Sequence, residues 1–167
     1  MKNFIFKALA FLSIITIVLT SCSGSDDNNN STSQNVFFCK VDGVNYSPPH
    51  VTGFISTITN TLVLTGSTGT NAEQIQIFLP NDIAVGTYTQ FYDFTADEFI
   101  QMYYSPPSSQ DADDDGFASS GQLVITEHDI SGKRIKGTFN FVTDPSVNGS
   151  NIWNVSEGSF EIRYEEL

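Results

Sequence analysis

In run after run from Val36 onward, apolar residues of this chain fall at every second position, and no segment there repeats with the 3.6-residue spacing of an amphipathic helix. Period two sends neighbouring side chains to opposite faces of a strand. A chain built this way must bury one face of each strand against another layer. Ile75, Ile77 and Leu79 alternate with Gln74, Gln76 and Phe78. Ile135, Gly137, Phe139 and Phe141 oppose Arg134, Lys136, Thr138 and Asn140. Phe160, Ile162 and Tyr164 alternate with Ser159, Glu161, Arg163 and Glu165. Shorter runs at Phe37–Val41, Val44–Tyr46, Val51–Thr57, Thr61–Thr65, Gly86–Thr89, Phe99–Tyr104 and Gln122–Thr126 are rich in β-branched and aromatic residues. Turn signals separate them: Asp42-Gly43, Pro48-Pro49, Gly66–Asn71, Pro80-Asn81-Asp82, Pro106-Pro107, Asp129–Gly132 and Asp144–Asn151. The pattern predicts an all-β domain over residues 36–167, an antiparallel β-sandwich or partly closed β-barrel of about nine strands.

The N-terminus is of another kind. Lys2 and Lys7 precede an apolar run from Ala8 to Leu19, the layout of a signal peptide and too short for a spanning helix. Leu19-Thr20-Ser21-Cys22 follows directly and resembles the lipobox of bacterial lipoproteins. The resemblance implies removal of residues 1–21, acylation of Cys22 and attachment to a lipid bilayer. More than one acyl chain is needed for stable anchoring. An ordinary secretory signal, or an uncleaved helix, is the alternative. Residues 22–35 hold the candidate lipidated cysteine and a linker without apolar side chains from Ser23 to Asn35, a composition that cannot offset the entropy of ordering. Ser25-Asp26-Asp27 resembles the export signal of surface lipoproteins in the Bacteroidota, which implies the outer membrane and favours its outer face.

Cleavage would leave 146 residues and take the formal net charge from −12 to −14, since the leader holds two lysines and no acid. Such a chain repels nucleic acid and anionic lipid. Cys39 would then have no intramolecular partner, and its strand setting predicts a buried free thiol packing as a small apolar residue.

Gly86-Thr87-Tyr88, Ser120–Thr126 with Asp129, Ile135–Phe141 and Glu157–Phe160 are similar to a family of small Bacteroidota lipoproteins whose β-rich domain has no established function. The similarity covers most of Phe37–Glu166 and brings no catalytic residue with it. Its Gly-x-Phe repeat has a structural rationale, because glycine lets a large ring lie over the backbone of a neighbouring strand.

Three groups bear on chemistry. Asp111, Asp113 and Asp115 with Gly116 match the opening of a Ca²⁺ loop, with the carbonyl of Phe117 as a further ligand. Gln122 at the twelfth position lacks the bidentate carboxylate, and a solvated acidic loop is the alternative. Tyr103, Tyr104 and Trp153 form a candidate ligand surface, against a default of core packing. Glu127-His128-Asp129 reads as a turn with solvated ends. Arg134 and Lys136 are expected to pair across strands with Glu161 and Glu165. The expectation is a membrane-anchored, non-enzymatic binding or accessory domain with an envelope protein or glycan partner. Two alternatives stand beside it: a glycan hydrolase drawing carboxylates from Asp93, Asp97, Glu98 and residues 111–115, and a purely structural lipoprotein.

Overall fold

The computed structural model describes residues 34–70, 72–89, 91, 99–107, 115–144 and 151–167. Among these the chain is all-β, without a helix. Eleven strands run in order: β1 Val36–Val41, β2 Val44–Tyr46, β3 His50–Ser56, β4 Thr61–Ser67, β5 Gln74–Pro80, β6 Gly86–Tyr88, β7 Gln101–Ser105, β8 Gly116–Asp129, β9 Arg134–Thr143, β10 Asn154–Arg163 and β11 Glu165–Glu166. They form one sheet in the order β11-β3-β4-β5-β7-β8-β9-β10-β1-β2, with β6 added beside β8, and the path curls into a half-barrel.

The curl is made in β8. Its first residues, Gly116 and Phe117, pair with Tyr104 and Tyr103 of β7. From Ala118 onward it pairs with β9 instead. A bulge between Ala118 and Ser120 marks the change, as bulges bend a strand and increase its twist. Gly121 follows at φ +148°, where an added Cβ would lie 2.2 Å from the Asn140 carbonyl oxygen. No other residue type fits there without moving β9. The sequence pattern alone predicts a strand only over Gln122–Thr126. Ala118-Ser119-Ser120-Gly121 resembles a loop in composition but serves as the bend inside one fourteen-residue strand.

The bend faces two layers towards each other. Leu62, Leu64, Ile75, Ile77, Leu79, Met102 and Tyr104 come from one layer, and Phe37, Leu123, Ile125, Ile135, Phe139, Phe141, Phe160 and Ile162 from the other. Side chains of this size contribute roughly 1.5–3 kcal/mol each when fully buried. The alternation predicted for β5, β9 and β10 is seen directly in their burial. Asp42 and Gly43 both take positive φ, 48° and 81°, and close the β1–β2 hairpin between paired Val41 and Val44.

The two Gly-x-Phe segments meet each other. Gly137 lies opposite Phe160, and Phe139 opposite Gly158, on adjacent antiparallel strands. Each phenylalanine ring therefore covers the other strand's glycine. A Cβ on Gly137 would sit 2.6 Å from the Phe160 ring and 2.4 Å from the Val124 carbonyl oxygen. One on Gly158 would sit 2.6 Å from the Phe139 ring. Because backbone as well as ring blocks the space, Gly137→Ala is expected to cost roughly 3 kcal/mol. Gly43→Ala, with nothing within 4 Å of its added carbon, is expected to cost about 1 kcal/mol for its positive φ. Urea unfolding midpoints of the two variants check this order.

Candidate functional site

Tyr103 and Tyr104 are neighbours in β7, so they project to opposite sides of the sheet. Tyr104 points into the core and is 2 % exposed. Its hydroxyl donates to Glu73 Oε1 at 2.9 Å, and Trp153 meets its ring edge-on at a centroid distance of 5.2 Å. Tyr46 extends the cluster by donating to the carbonyl oxygens of Gly66 at 2.8 Å and Glu73 at 3.1 Å. Tyr103 faces outward. Its ring packs on Phe117 at 5.0 Å, and its hydroxyl donates to Asp115. Ser105 donates to the other oxygen of the same carboxylate at 2.7 Å. The three residues expected on one surface are thus divided: Tyr104 and Trp153 meet inside, and Tyr103 stands apart on the outer face.

Asp115 is the one acid of the expected Ca²⁺ loop within the described residues; Asp111 and Asp113 lie outside them, as do Cys22, Asp93, Asp97 and Glu98. Both of its oxygens already accept hydroxyls from β7.

Burial, and secondarily the Glu73 charge, push the Cys39 thiol from 9.0 up to about 12. It therefore stays protonated at neutral pH and is no nucleophile. Burial likewise raises Tyr46 and Tyr104, with Glu73 adding to both. Tyr103 is raised by burial and then by its bond to Asp115.

His128 has a structural setting that its sequence neighbourhood did not suggest. Its Nδ1 lies 2.8 Å from the Ile83 carbonyl oxygen and so carries the proton, leaving Nε2 to accept from the Tyr164 hydroxyl at 2.9 Å. It joins the end of β8 to the β5–β6 connection and to the crossing between β10 and β11. Glu127 points elsewhere, because a bulge between Ile125 and Glu127 shifts the register. It joins Arg134, Lys136 and Glu161 in a network with Lys136–Glu161 at 3.2 Å and both Arg134–Glu161 and Lys136–Glu127 at 3.5 Å. Arg134 also pairs with Glu127. Glu161 was expected in this group. Glu127 completes it in place of Glu165, which lies in β11 beside Phe54.

The two outer faces differ in kind. The face of β8, β9, β10 and β1 carries this network together with Lys40–Glu157 at 2.7 Å. On the other side, β3, β4, β5 and β7 contain no Asp, Glu, Lys or Arg at all. Two acids flank these strands: Asp115 beside Tyr103 and Ser105, and Glu165 in register with Phe54. On the side away from the core the register aligns Thr52, Thr65, Gln76 and Tyr103, and Phe54, Val63, Phe78 and Gln101, but Val63 and Gln101 in the second row are buried. Gln76 Nε2 donates to Thr65 across the strands at 3.4 Å. At its β3 margin lies a groove of about 380 Å³ lined by Asn35, Thr52, Phe54, Arg163 and Glu165 among others. At the β7 margin, where pairing with β8 begins only at Tyr103, Gln101 Oε1 accepts from the Met102 N–H at 2.8 Å. The Gln101 Nε2 is buried without a partner among the described residues.

A family of domains of unknown function, DUF6252, matches residues 33–162. The chain belongs to the DUF6252 family. No curated protein and no solved structure matches it. The match thus spans both layers of the half-barrel as far as Ile162 in β10, including Tyr46, Glu73 and Tyr104 and the outward face of β3, β4, β5 and β7.

The raised Cys39 gives a pH dependence of known sign. A group whose pKa is higher in the folded state stabilises the fold below its unfolded value and loses that contribution as pH rises through the folded value. Stability is expected to hold through neutral pH and fall from about pH 9 towards 12, the interval set by Cys39. The tyrosines join only above their ordinary value near 10. Urea midpoints across this range should show an earlier onset for the parent than for Cys39→Ala. A thiol reagent at pH 8 should label Cys39 only after unfolding.

Proposed function

We propose that the chain is an envelope lipoprotein, fixed to the outer membrane through acylated Cys22, whose DUF6252 domain is a non-enzymatic binding or accessory module turned towards the cell surface. The tether rests on the sequence: a charged and apolar leader, a cysteine at its end, and a polar spacer. At roughly 5–6 Å times the square root of its length, a spacer of this composition holds the domain some 20 Å from the bilayer. An acidic domain gains nothing from the bilayer's own charge, so the acyl chains supply the attachment.

The observation that carries the binding role is the outward face of β3, β4, β5 and β7, whose strands hold rings, hydroxyls and amides and no Asp, Glu, Lys or Arg of their own. Rings and neutral polar groups lose less on desolvation than ionised groups do and gain from contact. The titratable groups of the core support the same assignment. Cys39 is held protonated, Glu73 receives the Tyr104 hydroxyl, and both His128 nitrogens are engaged. Glu73 and His128 thus have structural partners, and burial shuts the Cys39 thiol off from solvent.

Mass spectrometry of the native protein is expected to show Cys22 at the mature N-terminus with acyl chains attached. Cys22→Ser should move the protein from the membrane to the soluble fraction, with protease shaving of intact cells removing the parent domain. An unmodified Cys22, or a retained leader, would overturn the tether.

A further inference from the structure

We propose that the end of the domain from which the tether leaves docks against a net-neutral bilayer surface, an inference that rests on the tether proposed above. Seven large apolar side chains are exposed among the described residues, and four of them, Ile58, Val85, Ile130 and Leu167, lie at this end. Ile58 occupies the β3–β4 turn and is 94 % exposed. Val85 lies in the β5–β6 connection, Ile130 in the β8–β9 turn, and Leu167 follows β11. Turns draw on Gly, Pro, Asn, Asp and Ser for their geometry, so an isoleucine in an exposed turn adds nothing to the turn itself. Its apolar area is stabilising only when something covers it.

Hydrogen bonds join the four segments in a ring. Asn60 and Asn81 exchange side-chain bonds of 2.7 and 3.3 Å, which link the β3–β4 turn to the start of the β5–β6 connection. In that connection the Ile83 carbonyl oxygen accepts from His128 Nδ1 near the end of β8. The Lys133 carbonyl oxygen, in the β8–β9 turn, accepts from the Tyr164 N–H at 3.0 Å, and Lys133 Nζ pairs with Glu166 at 3.2 Å. The Leu167 carbonyl oxygen accepts from Thr57 Oγ1 at 2.9 Å, back at the first turn. Polar groups of the loops thus bind one another, and the four aliphatic side chains are left in water.

The point where the chain enters the domain selects the occupant. Asn35, just before β1, accepts from the Arg163 N–H at 2.8 Å and donates to the Arg163 carbonyl oxygen at 3.3 Å. Arg163 ends β10 and precedes Tyr164 of the ring, and Asn35 and Leu167 line one groove. The tether therefore departs beside the exposed aliphatic side chains. A short spacer holds its cargo at roughly millimolar effective concentration, so a contact too weak to act from solution is sufficient here. Such contacts strengthen with the apolar area seated at the headgroup boundary. Charge sets the kind of lipid. Within residues 57–60, 81–85, 129–133 and 164–167 the acids are Asp82, Asp129, Glu165 and Glu166, and the one base is Lys133. That balance repels an anionic surface and favours a net-neutral one.

The test uses the native lipoprotein in phosphatidylcholine vesicles, with a nitroxide on Thr59→Cys or, beside the first hairpin at the opposite end, on Asn45→Cys. Buried Cys39 takes no label. Electron paramagnetic resonance reads collisions of each label with lipid-soluble oxygen and with a water-soluble nickel chelate. The oxygen-to-nickel ratio at position 59 is expected to exceed that at position 45 about fivefold, and to fall when phosphatidylglycerol is added. Ile58→Ser combined with Ile130→Ser should bring the two ratios together while the melting temperature stays near the parent's. Equal ratios in vesicle-bound protein overturn the proposal and leave the tether standing. Protein that does not float with the vesicles overturns both. A high ratio that survives the double substitution, or that rises with phosphatidylglycerol, also overturns it. So does a label at 59 shielded from oxygen and nickel alike, which would mean that a second copy covers this end.

Discussion

A single sheet can enclose a core only by turning back on itself, and here the turn is made within one strand. β8 serves both layers, pairing first with β7 and then with β9. The bulge after Ala118 and the conformation of Gly121 are what let it do so. Were β8 straight, the apolar faces of β4 and β5 would have no layer opposite them. Burial of Ile75, Ile77, Leu123 and Ile125 in one cluster therefore follows from a local backbone property. The loss of β8 from the β7 edge has its own consequence, since the Met102 N–H must take the Gln101 side chain as acceptor.

The second layer is tightened by the reciprocal placement of glycine and phenylalanine. Gly137 and Gly158 remove two side chains, and Phe160 and Phe139 fill the space from across the strand boundary. The exchange also fixes register. A slip by one residue would put each ring against a side chain and turn every apolar residue outward. Phe37 tilts on Phe139 at 5.2 Å, so β1 is tied to the same cluster.

Much of this was legible in the sequence. Alternation marked β5, β9 and β10, Asp42-Gly43 marked the first hairpin, and the Gly-x-Phe repeat pointed to ring over backbone. What escaped depends on contacts distant in the chain. Ala118–Gly121 resembles a loop unless its partners are known. The bulge before Glu127 reassigns which acid joins Arg134 and Lys136. His128 sits beside a turn, yet its partners, Ile83 and Tyr164, lie 45 and 36 residues away. The division of Tyr103 from Tyr104 is a different case, because the same period of two that marked the strand already separates neighbours. Trp153 finds Tyr104 through the fold alone.

The lack of Asp, Glu, Lys and Arg in β3, β4, β5 and β7 was also present in the sequence, spread over four strands that only the topology makes adjacent. β3, β4 and β5 follow one another, but β7 joins them after β6 has gone to β8. The charged outer face shows what the domain does with ionised groups when it keeps them. Two acids and two bases satisfy one another between β8, β9 and β10. Exposed pairs of this kind contribute little to stability singly and somewhat more as a network. Their larger effect is to close that face, since a ligand would have to break existing pairs to bind there. On the opposite face, Gln76 donates to Thr65 over a long 3.4 Å, while Tyr103 and Ser105 hold the carboxylate of Asp115 between them. One layer thus sets acids against bases, and the other satisfies the acid beside it with hydroxyls.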